Sequence, residues 1–208
     1  MPDLPRFGDA AAEEPPYRSK LIVLRGNSGS GKSTVARLVR EASSRTIALV
    51  EQDYLRRVVL KERGKTPGTN NLDLIFQTTT FALSRGYDVI LDGILVFHQY
   101  GDMLRELAAR CPDHHFFYFD ISLDETLRRH ATKPIAHEVG EQDLRGWYRA
   151  RNVTGFANET IIPESSSVEE SVRLIVRTAG LHDQPSSSGG TDGRGQSDDR
   201  RLNVARWP

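Results

Sequence analysis

Short apolar runs alternate with amphipathic stretches along the central part of the chain. Five runs have the length and composition of buried strands, at residues 20–25, 46–50, 87–91, 115–121 and 159–162. Between them apolar residues recur at helical spacing and predict helices, at residues 32–44, 54–63, 71–85, 99–110, 141–151 and 167–180, with one more from Ser122. This alternation predicts an α/β fold with a doubly wound, mostly parallel five-stranded sheet and helices on both faces.

Capping residues support several of these boundaries. Ser122 with Glu125, and Ser167 with Glu170, have the spacing of capping boxes, in which each side chain bonds the backbone N–H of the other residue. Gly86 follows the predicted helix 71–85 and is typical of a helix end. The local signals therefore agree with the hydrophobic pattern.

The two ends of the chain differ in composition from its middle. Residues 1–19 are rich in proline and acidic side chains, and residues 183–208 are rich in serine, glycine and charged side chains. Such segments bury too little apolar surface to offset the entropy of ordering the chain. We therefore predict a disordered N-terminal segment (1–19), one folded domain (20–182) and a disordered C-terminal tail (183–208).

Charge and cysteine content narrow the function classes. The 208 residues include 28 Lys and Arg and 28 Asp and Glu, and the resulting net charge of zero disfavours a nucleic-acid partner. A single cysteine, Cys111, excludes an internal disulfide framework and a multi-cysteine zinc site. No run approaches the roughly 20 apolar residues of a membrane helix, and the N-terminus lacks a signal-peptide run. We expect a soluble, cytoplasmic protein with no membrane partner.

A glycine-rich segment directly after the first predicted strand matches the pattern G-x-x-x-x-G-K-[ST]. It consists of Gly26, Asn27, Ser28, Gly29, Ser30, Gly31, Lys32, Ser33 and Thr34. Glycines let successive backbone N–H groups point at phosphate oxygens, and the helix that follows adds its N-terminal dipole. Lys32 reaches the β- and γ-phosphates as a catalytic cation, and the Ser33 hydroxyl is placed to bind Mg²⁺. The segment predicts a site for a nucleoside triphosphate with its magnesium ion.

The third predicted strand ends in Asp92, which is followed by Gly93. An apolar run that closes in aspartate is the Walker-B form, whose carboxylate holds Mg²⁺ directly or through water. The alternative is that Asp92 caps the next turn. ATP-hydrolysing motors and transporters usually carry a glutamate after this aspartate to activate water, and glycine stands there instead. The N-K-x-D and L-S-G-G-Q sequences are absent as well, so GTPase and transporter functions are disfavoured.

Three segments together resemble a known family. The runs L-x-G-x-S-G-S-G-K-S-T, V-I-L-D-G and T-L-R-R look like the small P-loop kinases of the nucleoside monophosphate kinase fold. The spacing around Asp53 is similar to that of chloramphenicol phosphotransferase and zeta-toxin-like kinases. The resemblance covers residues 20–180 and implies a P-loop kinase domain with a lid segment at about 130–155. It also implies ATP and Mg²⁺ as cofactors and a small-molecule hydroxyl acceptor.

In that family an aspartate after the second strand lies beside the acceptor and takes its hydroxyl proton. Asp53 has this position and is the candidate catalytic base. It is equally suited to cap the helix predicted from Tyr54, and this alternative stays open. Arg56 and Arg57 either hold an anionic group or belong to a solvated helix face.

The family also carries an arginine at the start of its lid. Arg128 and Arg129 have this position, and one of them is predicted to stabilise the charge on the transferred phosphoryl group. A further lid cation has four candidates, Lys133, Arg145, Arg149 and Arg151. For each of these residues a surface cation is the alternative. Trp147 and Tyr148 are interpreted as anchors of a helix to the core in preference to stacking on a substrate.

Motifs and resemblance together predict an ATP-dependent phosphotransferase with an alcohol group as acceptor. Two alternatives stay open. One is a kinase of a nucleotide sugar or of a nucleic-acid end, and the other is a regulatory protein that binds ATP without transferring phosphate. A slow ATPase is disfavoured by Gly93.

Overall fold

Five parallel strands form one sheet at the centre of the computed structural model, which describes residues 17–62, 69–131 and 140–181. The strands are β1 (Leu21–Gly26), β2 (Ile47–Glu51), β3 (Asp88–Gly93), β4 (His114–Asp120) and β5 (Glu159–Pro163). Their order across the sheet is β2-β3-β1-β4-β5. The predicted five-stranded α/β fold is confirmed, and its sheet is parallel throughout.

Helices cover both faces of this sheet. In the described residues they are α1 (Lys32–Ala42), α2 (Gln52–Tyr54), α3 (Thr69–Ser84), α4 (Phe97–Arg110), α5 (Leu123–Ala131), α6 (Glu141–Trp147) and α7 (Val168–Thr178). A π-helical turn, Leu55–Val59, continues α2. Among the described residues no helix has both the length and the apolar character needed to cross a bilayer.

Alternate residues of β1 enter two separate hydrophobic clusters. Leu21 and Val23 pack with side chains of α3 and α4, whereas Ile22 and Leu24 pack with those of α1 and α7. All four are fully buried. A parallel strand that is covered on both faces has no solvated side, which explains why the strands read as continuous apolar runs.

The carboxyl ends of β2, β3 and β1 lie side by side. Asp92 of β3 is in register with Leu24 of β1 on one side and with Glu51 of β2 on the other. After β1 the chain turns toward one half of the sheet, and after β3 it crosses to the other half. Such a switch in direction leaves a crevice at the carboxyl ends, where ligands of open α/β sheets bind.

Most predicted strands and helices match the structure to within two residues at each end. The folded part begins earlier than predicted, because the N–H of Tyr17 donates to the carbonyl of Arg110 at 2.9 Å and Ser19 is buried. The rest of the predicted N-terminal segment, the predicted C-terminal tail and residues 132–139 of the predicted lid lie outside the described residues.

The helix after β2 differs most from its prediction. α2 begins at Gln52, directly after the strand, and the π-helical turn ends at Val59 instead of at residue 63. Asp53 therefore lies inside the first turn, the N-cap residue is Glu51, and no side chain caps this end. The alternative interpretation of Asp53 as the cap of this helix is wrong, because the helix already begins at Gln52, one residue before Asp53.

One of the two predicted capping boxes is complete. Ser167 and Glu170 bond reciprocally, at 2.8 and 3.1 Å. At the start of α5, the N–H of Glu125 donates to Ser122 Oγ at 3.2 Å, but the Ser122 N–H donates to the carboxylate of Glu164. The second half of this box is missing because the Glu125 carboxylate bonds arginines of its own helix.

Candidate active site

The loop between β1 and α1 curls back on itself through three glycines at positive φ. These are Gly26 (152°), Gly29 (82°) and Gly31 (94°). At Gly26 a side chain is also excluded by space, because its Cβ would lie 3.0 Å from both the Cβ and the carbonyl oxygen of Phe119. α1 then begins at Lys32 with no side chain capping its first turn. A curled loop that ends in an uncapped helix N-terminus suits a phosphate group.

Three polar side chains of this loop are buried, those of Asn27, Ser30 and Lys32. Lys32 folds back over it, and its Nζ donates to the carbonyl oxygen of Asn27 at 3.1 Å. Ser30 Oγ is buried and has no hydrogen-bond partner in the described part of the chain. Buried polar groups are nearly always satisfied, so a lone hydroxyl here indicates a place where a ligand completes the structure.

Asp92 lies between the phosphate loop and the end of β2. Its carboxylate is almost fully buried and accepts a hydrogen bond from the Ser33 hydroxyl, while Oδ1 has no partner among the described residues. Burial raises the pKa of Asp92, and nearby Lys32 and the bond from Ser33 oppose this rise. A buried carboxylate with one free oxygen beside a hydroxyl offers the hard oxygen ligands that Mg²⁺ prefers. These residues therefore fit the predicted ion.

The set of protein ligands is small. In the described segments no group of three or more His, Cys, Asp or Glu side chains is arranged to hold a metal ion. Mg²⁺ commonly binds through one or two protein oxygens and takes its other ligands from water and substrate phosphates. Asp92 and Ser33 match that habit, so the predicted ion would take its remaining ligands from water and from a bound phosphate group.

Replacing Asp92 with asparagine is expected to stabilise the nucleotide-free protein at pH 7. The folded-state pKa of Asp92 is raised, so the native state binds its proton more tightly than the unfolded chain does. Ionisation therefore lowers stability as pH rises above the ordinary value near 4, and Asp92→Asn removes this penalty. The parent should gain about 2.7 kcal/mol from Mg-ATP at 100 times its Kd, and the variant much less. Thermal unfolding at pH 4 and pH 7, with and without Mg-ATP, measures both effects. A nucleotide-free variant less stable than the parent at pH 7 contradicts the first effect, and an equal gain from Mg-ATP contradicts the second.

Asp53 lies on the other side of Asp92, in the first turn of α2. Its side chain is 60% exposed, and Oδ1 lies 3.5 Å from Nε of Arg57. It is close enough to Asp92 to raise the pKa of that carboxyl. The neighbouring surface is mixed, since Arg56 is half-buried and Tyr54 and Val58 are exposed. A carboxylate that stays accessible to solvent can reach a bound hydroxyl group.

Gln52 closes the space between the ends of β2 and β3. Its Oε1 accepts from the N–H of Ile94 at 2.8 Å, and its Nε2 donates to the hydroxyl of Tyr100 at 2.7 Å. Tyr100 in turn donates to Oδ1 of Asn71 at 3.0 Å. A Cβ at Gly93 would lie 2.5 Å from Gln52 Oε1. The position that carries a water-activating glutamate in motors and transporters thus has no room for a side chain.

The two predicted lid arginines point in different directions. Arg128 is exposed, and its guanidinium bonds the Glu125 carboxylate at 2.6 and 2.7 Å. Arg129 also bonds Glu125, but its Nη1 donates to the carbonyl of Ser30 at 3.1 Å and its Nη2 to that of Glu164 at 3.3 Å. Of the pair, Arg129 is the one that contacts the phosphate loop.

The far end of the predicted lid segment returns to the phosphate loop. Asn27 Nδ2 donates to the carbonyl of Arg149 at 2.9 Å, and the N–H of Arg149 donates back to Asn27 Oδ1 at 2.9 Å. This pairing takes the backbone groups that would continue α6, which ends at Trp147 instead of the predicted residue 151. Tyr148 donates to the carbonyl of Ile121 at 3.1 Å, in agreement with an anchoring role.

The side chains of two other candidate lid cations, Arg145 and Arg149, bond groups within their own segment. Arg145 pairs with Glu141 one turn earlier in α6, at 2.6 Å, as solvated helix faces commonly do. The side chain of Arg149 donates to two backbone carbonyls, those of Gly146 and Tyr148. Lys133 lies outside the described residues.

Sequence reasoning missed three polar residues that shape this site. Arg25 was predicted only as the last residue of the first strand, and Gln52 and Asn152 were assigned no role. A charged side chain at the end of an otherwise apolar buried strand is the signal that points to Arg25. Nothing comparable in the sequence marks Gln52 or Asn152.

The parallel sheet and its curled glycine loop define a P-loop protein of the kinase type. A family model described as an AAA domain matches residues 21–153, more than half of the chain, and the protein belongs to this family of P-loop kinase domains. A search of curated protein sequences finds no match.

Solved structures show the same fold. APS kinase CysC from Mycobacterium tuberculosis, solved with AMPPNP and APS, has a TM-score of 0.60 and 22% identity over 80% of this chain and 99% of its own. A gluconokinase from Sinorhizobium meliloti 1021 has a TM-score of 0.56 and 20% identity, over 79% and 93% of the two chains. A sugar kinase from Janibacter sp. HTCC2649 has a TM-score of 0.58 and 17% identity, over 78% and 95%. At these identities the likeness concerns the fold.

Proposed function

We propose that this protein is an ATP-dependent phosphotransferase that moves the γ-phosphate of Mg-ATP to a hydroxyl of a small-molecule acceptor. One observation carries the proposal. Lys32, Asp92 and Asp53 follow or end three strands, β1, β3 and β2, that are adjacent in the sheet. The carboxylate suited to the metal therefore lies between the phosphate loop and the carboxylate suited to the acceptor.

The donor side holds the triphosphate. Backbone N–H groups of the loop would bind the phosphate oxygens, and Lys32 would exchange its bond with Asn27 for the β- and γ-phosphates. Ser33 and Asp92 would hold Mg²⁺, which neutralises charge on the β- and γ-phosphates when it is bound. These groups fix the γ-phosphorus for attack from the side opposite the leaving ADP.

The acceptor side activates a hydroxyl. Asp53 accepts the proton of the acceptor hydroxyl while its oxygen forms the new bond to the γ-phosphorus and the bond to the β–γ bridging oxygen breaks. ADP leaves with the electron pair of that broken bond. The exposed Tyr54 and Val58 support an acceptor with an apolar part, and the half-buried Arg56 suits an anionic group on it.

The packing of Gln52 against Gly93 supports a bound hydroxyl, and not water, as the acceptor of the phosphate. Gln52 occupies the space beside Gly93, where a glutamate would otherwise activate water. Transfer to a bound hydroxyl is therefore favoured over hydrolysis.

The two lid arginines provide a matched test of this arrangement. We propose that Arg129 stabilises charge on the transferred group, because it already contacts the carbonyl of Ser30. Arg129→Ala is expected to lower kcat/KM by about 10²-fold, as the loss of one donor to a transition-state charge does. Arg128→Ala likewise removes an ion pair with Glu125 but no contact to the loop, so a change below about threefold is expected. Equal losses in steady-state kinetics would contradict the assignment.

The proposed reaction is tested by measuring ADP formation from Mg-ATP with a panel of acceptors. The panel contains nucleosides, nucleotides, sugars, nucleotide sugars, hydroxylated antibiotics and a short oligonucleotide. We expect ADP release with one class of small molecule and its loss in Lys32→Ala. Phosphate transfer only to the oligonucleotide or a nucleotide sugar would select the first alternative. Tight ATP binding with no ADP from any acceptor would select the regulatory one.

A further inference from the structure

A buried polar cluster lies directly beneath the phosphate loop. It consists of Arg25, Tyr118, Asn152 and Glu159, and the proposed reaction assigns none of them a role. Arg25 is fully buried at the end of β1, immediately before Gly26. A buried guanidinium is stable only when it is paired and its donors are satisfied.

The partners of Arg25 belong to three different parts of the fold. Nη1 donates to Glu159 Oε1 at the start of β5 at 2.8 Å. Nε and Nη2 donate to the carbonyl of Leu95, in the loop after β3, at 3.2 and 2.9 Å. Nη2 also donates to the carbonyl and to Oδ1 of Asn152, at 3.0 Å each. One side chain of β1 thus joins the loop after β3, the start of β5 and the chain that leaves the lid.

Asn152 extends this cluster. Its Oδ1 also accepts from the N–H of Phe97, the first residue of α4, at 2.8 Å, and its own N–H donates to the hydroxyl of Tyr118 at 3.0 Å. Two residues later the N–H of Thr154 donates to Glu159 Oε2 at 2.6 Å. We name residues 149–154 the return segment. This segment is therefore hydrogen-bonded to buried side chains of the sheet.

The same segment is attached to the phosphate loop itself. Asn27 pairs through its side-chain amide with the N–H and the carbonyl of Arg149. The carbonyl of Asn27 is also the acceptor for Lys32 Nζ. Arg25 and Asn27, which flank Gly26 in the sequence, thus both bond the return segment. The lid helix α6 ends at Trp147, just before this segment.

We infer that Arg25 and Asn152 are positioning residues that hold the return segment in register with the phosphate loop, so that the lid helix responds when nucleotide binds. Every donor of a buried guanidinium needs an acceptor, but stability alone does not require those acceptors to lie in the return segment. Here four further bonds from Arg25 end on the return segment and on Leu95, which lie outside the sheet. The inference rests on the proposed function in one respect, because ATP is the ligand in its test.

Asn152 is the residue to change, because removing Arg25 would leave the buried Glu159 unpaired and endanger folding. Asn152→Ala removes the shared acceptor oxygen, whereas Asn152→Asp keeps an oxygen for both Arg25 and the N–H of Phe97. Val153→Ala changes an exposed neighbour and serves as control. A Trp207→Phe background leaves Trp147, at the end of α6, as the reporter of the lid.

The measurements are Mg-ATP affinity by calorimetry and the change in Trp147 fluorescence on binding. Asn152→Ala is expected to weaken binding about tenfold and to remove most of the fluorescence change. Asn152→Asp should restore both, and Val153→Ala should keep both. Parent-like affinity and fluorescence in Asn152→Ala, or failure of the aspartate to restore them, would overturn the inference even if thermal stability falls.

Amide exchange of the nucleotide-free protein separates this inference from the proposed function. A parent that binds no ATP would refute the proposed function. The positioning role of Asn152 would then be tested by the amide-exchange rates of residues 26–31. These rates should rise about tenfold in Asn152→Ala but not in Val153→Ala. Unchanged exchange in the loop would overturn the inference.

Discussion

Replacing Asp53 with asparagine is expected to lower kcat about 10²–10⁴-fold while Mg-ATP still binds. Asparagine has the shape of the aspartate but cannot accept the proton of the acceptor hydroxyl at neutral pH. The phosphate loop and Asp92 are unchanged in this variant, so the donor side should remain intact. Single-turnover phosphate transfer to the identified acceptor and calorimetric Mg-ATP binding separate the two effects.

Arg57→Gln is the matched control for this prediction. It breaks the same exposed ion pair, whose atoms are 3.5 Å apart, and leaves the Asp53 carboxylate in place. Exposed pairs contribute little to stability, so both variants should unfold within about 0.5 kcal/mol of the parent. If both variants lose transfer to the same extent, the ion pair and not a free carboxylate is what the reaction needs.

Replacing Gly93 with alanine is expected to lower the free energy of unfolding by about 2–3 kcal/mol. The new Cβ would lie 2.5 Å from Gln52 Oε1 and 2.7 Å from Gln52 Cβ, so rotation of the amide cannot relieve the contact. The ends of β2 and β3 would have to separate, which would move Asp53 away from Asp92. The melting temperature should fall by about 5–10 °C, and phosphate transfer should fall with it.

Gly146→Ala is the control for this second prediction. Gly146 lies in α6 with no atom within 4 Å of the position its Cβ would take. Alanine there should be neutral or stabilise by roughly 0.5–1 kcal/mol, because it lowers the entropy of the unfolded chain. A Gly93→Ala protein as stable as Gly146→Ala would mean that Gln52 does not restrict this position.

The phosphate loop was predicted correctly in its place between a strand and a helix because its signal is local. The strand before it, its glycines and the start of α1 follow one another within 15 residues. Positive φ at Gly26, Gly29 and Gly31 is a property of single residues, which the sequence pattern reports directly. The strands were equally predictable from the sequence, because burial on both faces leaves a continuous apolar run.

The lid arginines show where local reasoning stops. Arg128 and Arg129 are adjacent in sequence and about 100° apart around their helix, so composition and spacing cannot rank them. Only the packing of α5 against the phosphate loop brings one of them to the carbonyl of Ser30. The role of Asp53 as a cap failed for a similar reason, because where β2 passes into α2 depends on the contacts of Gln52 with the loop after β3.

By itself the sequence determined the order of strands and helices, the phosphate loop and the carboxylate at the end of β3, since each depends on neighbouring residues and on burial. The tertiary structure decided which side chains meet across the sheet. Arg25 finds Asn152 127 positions away, and Gln52 reaches Ile94 42 positions away. Such contacts depend on how the strand ends are aligned, and no periodicity along the chain encodes that alignment.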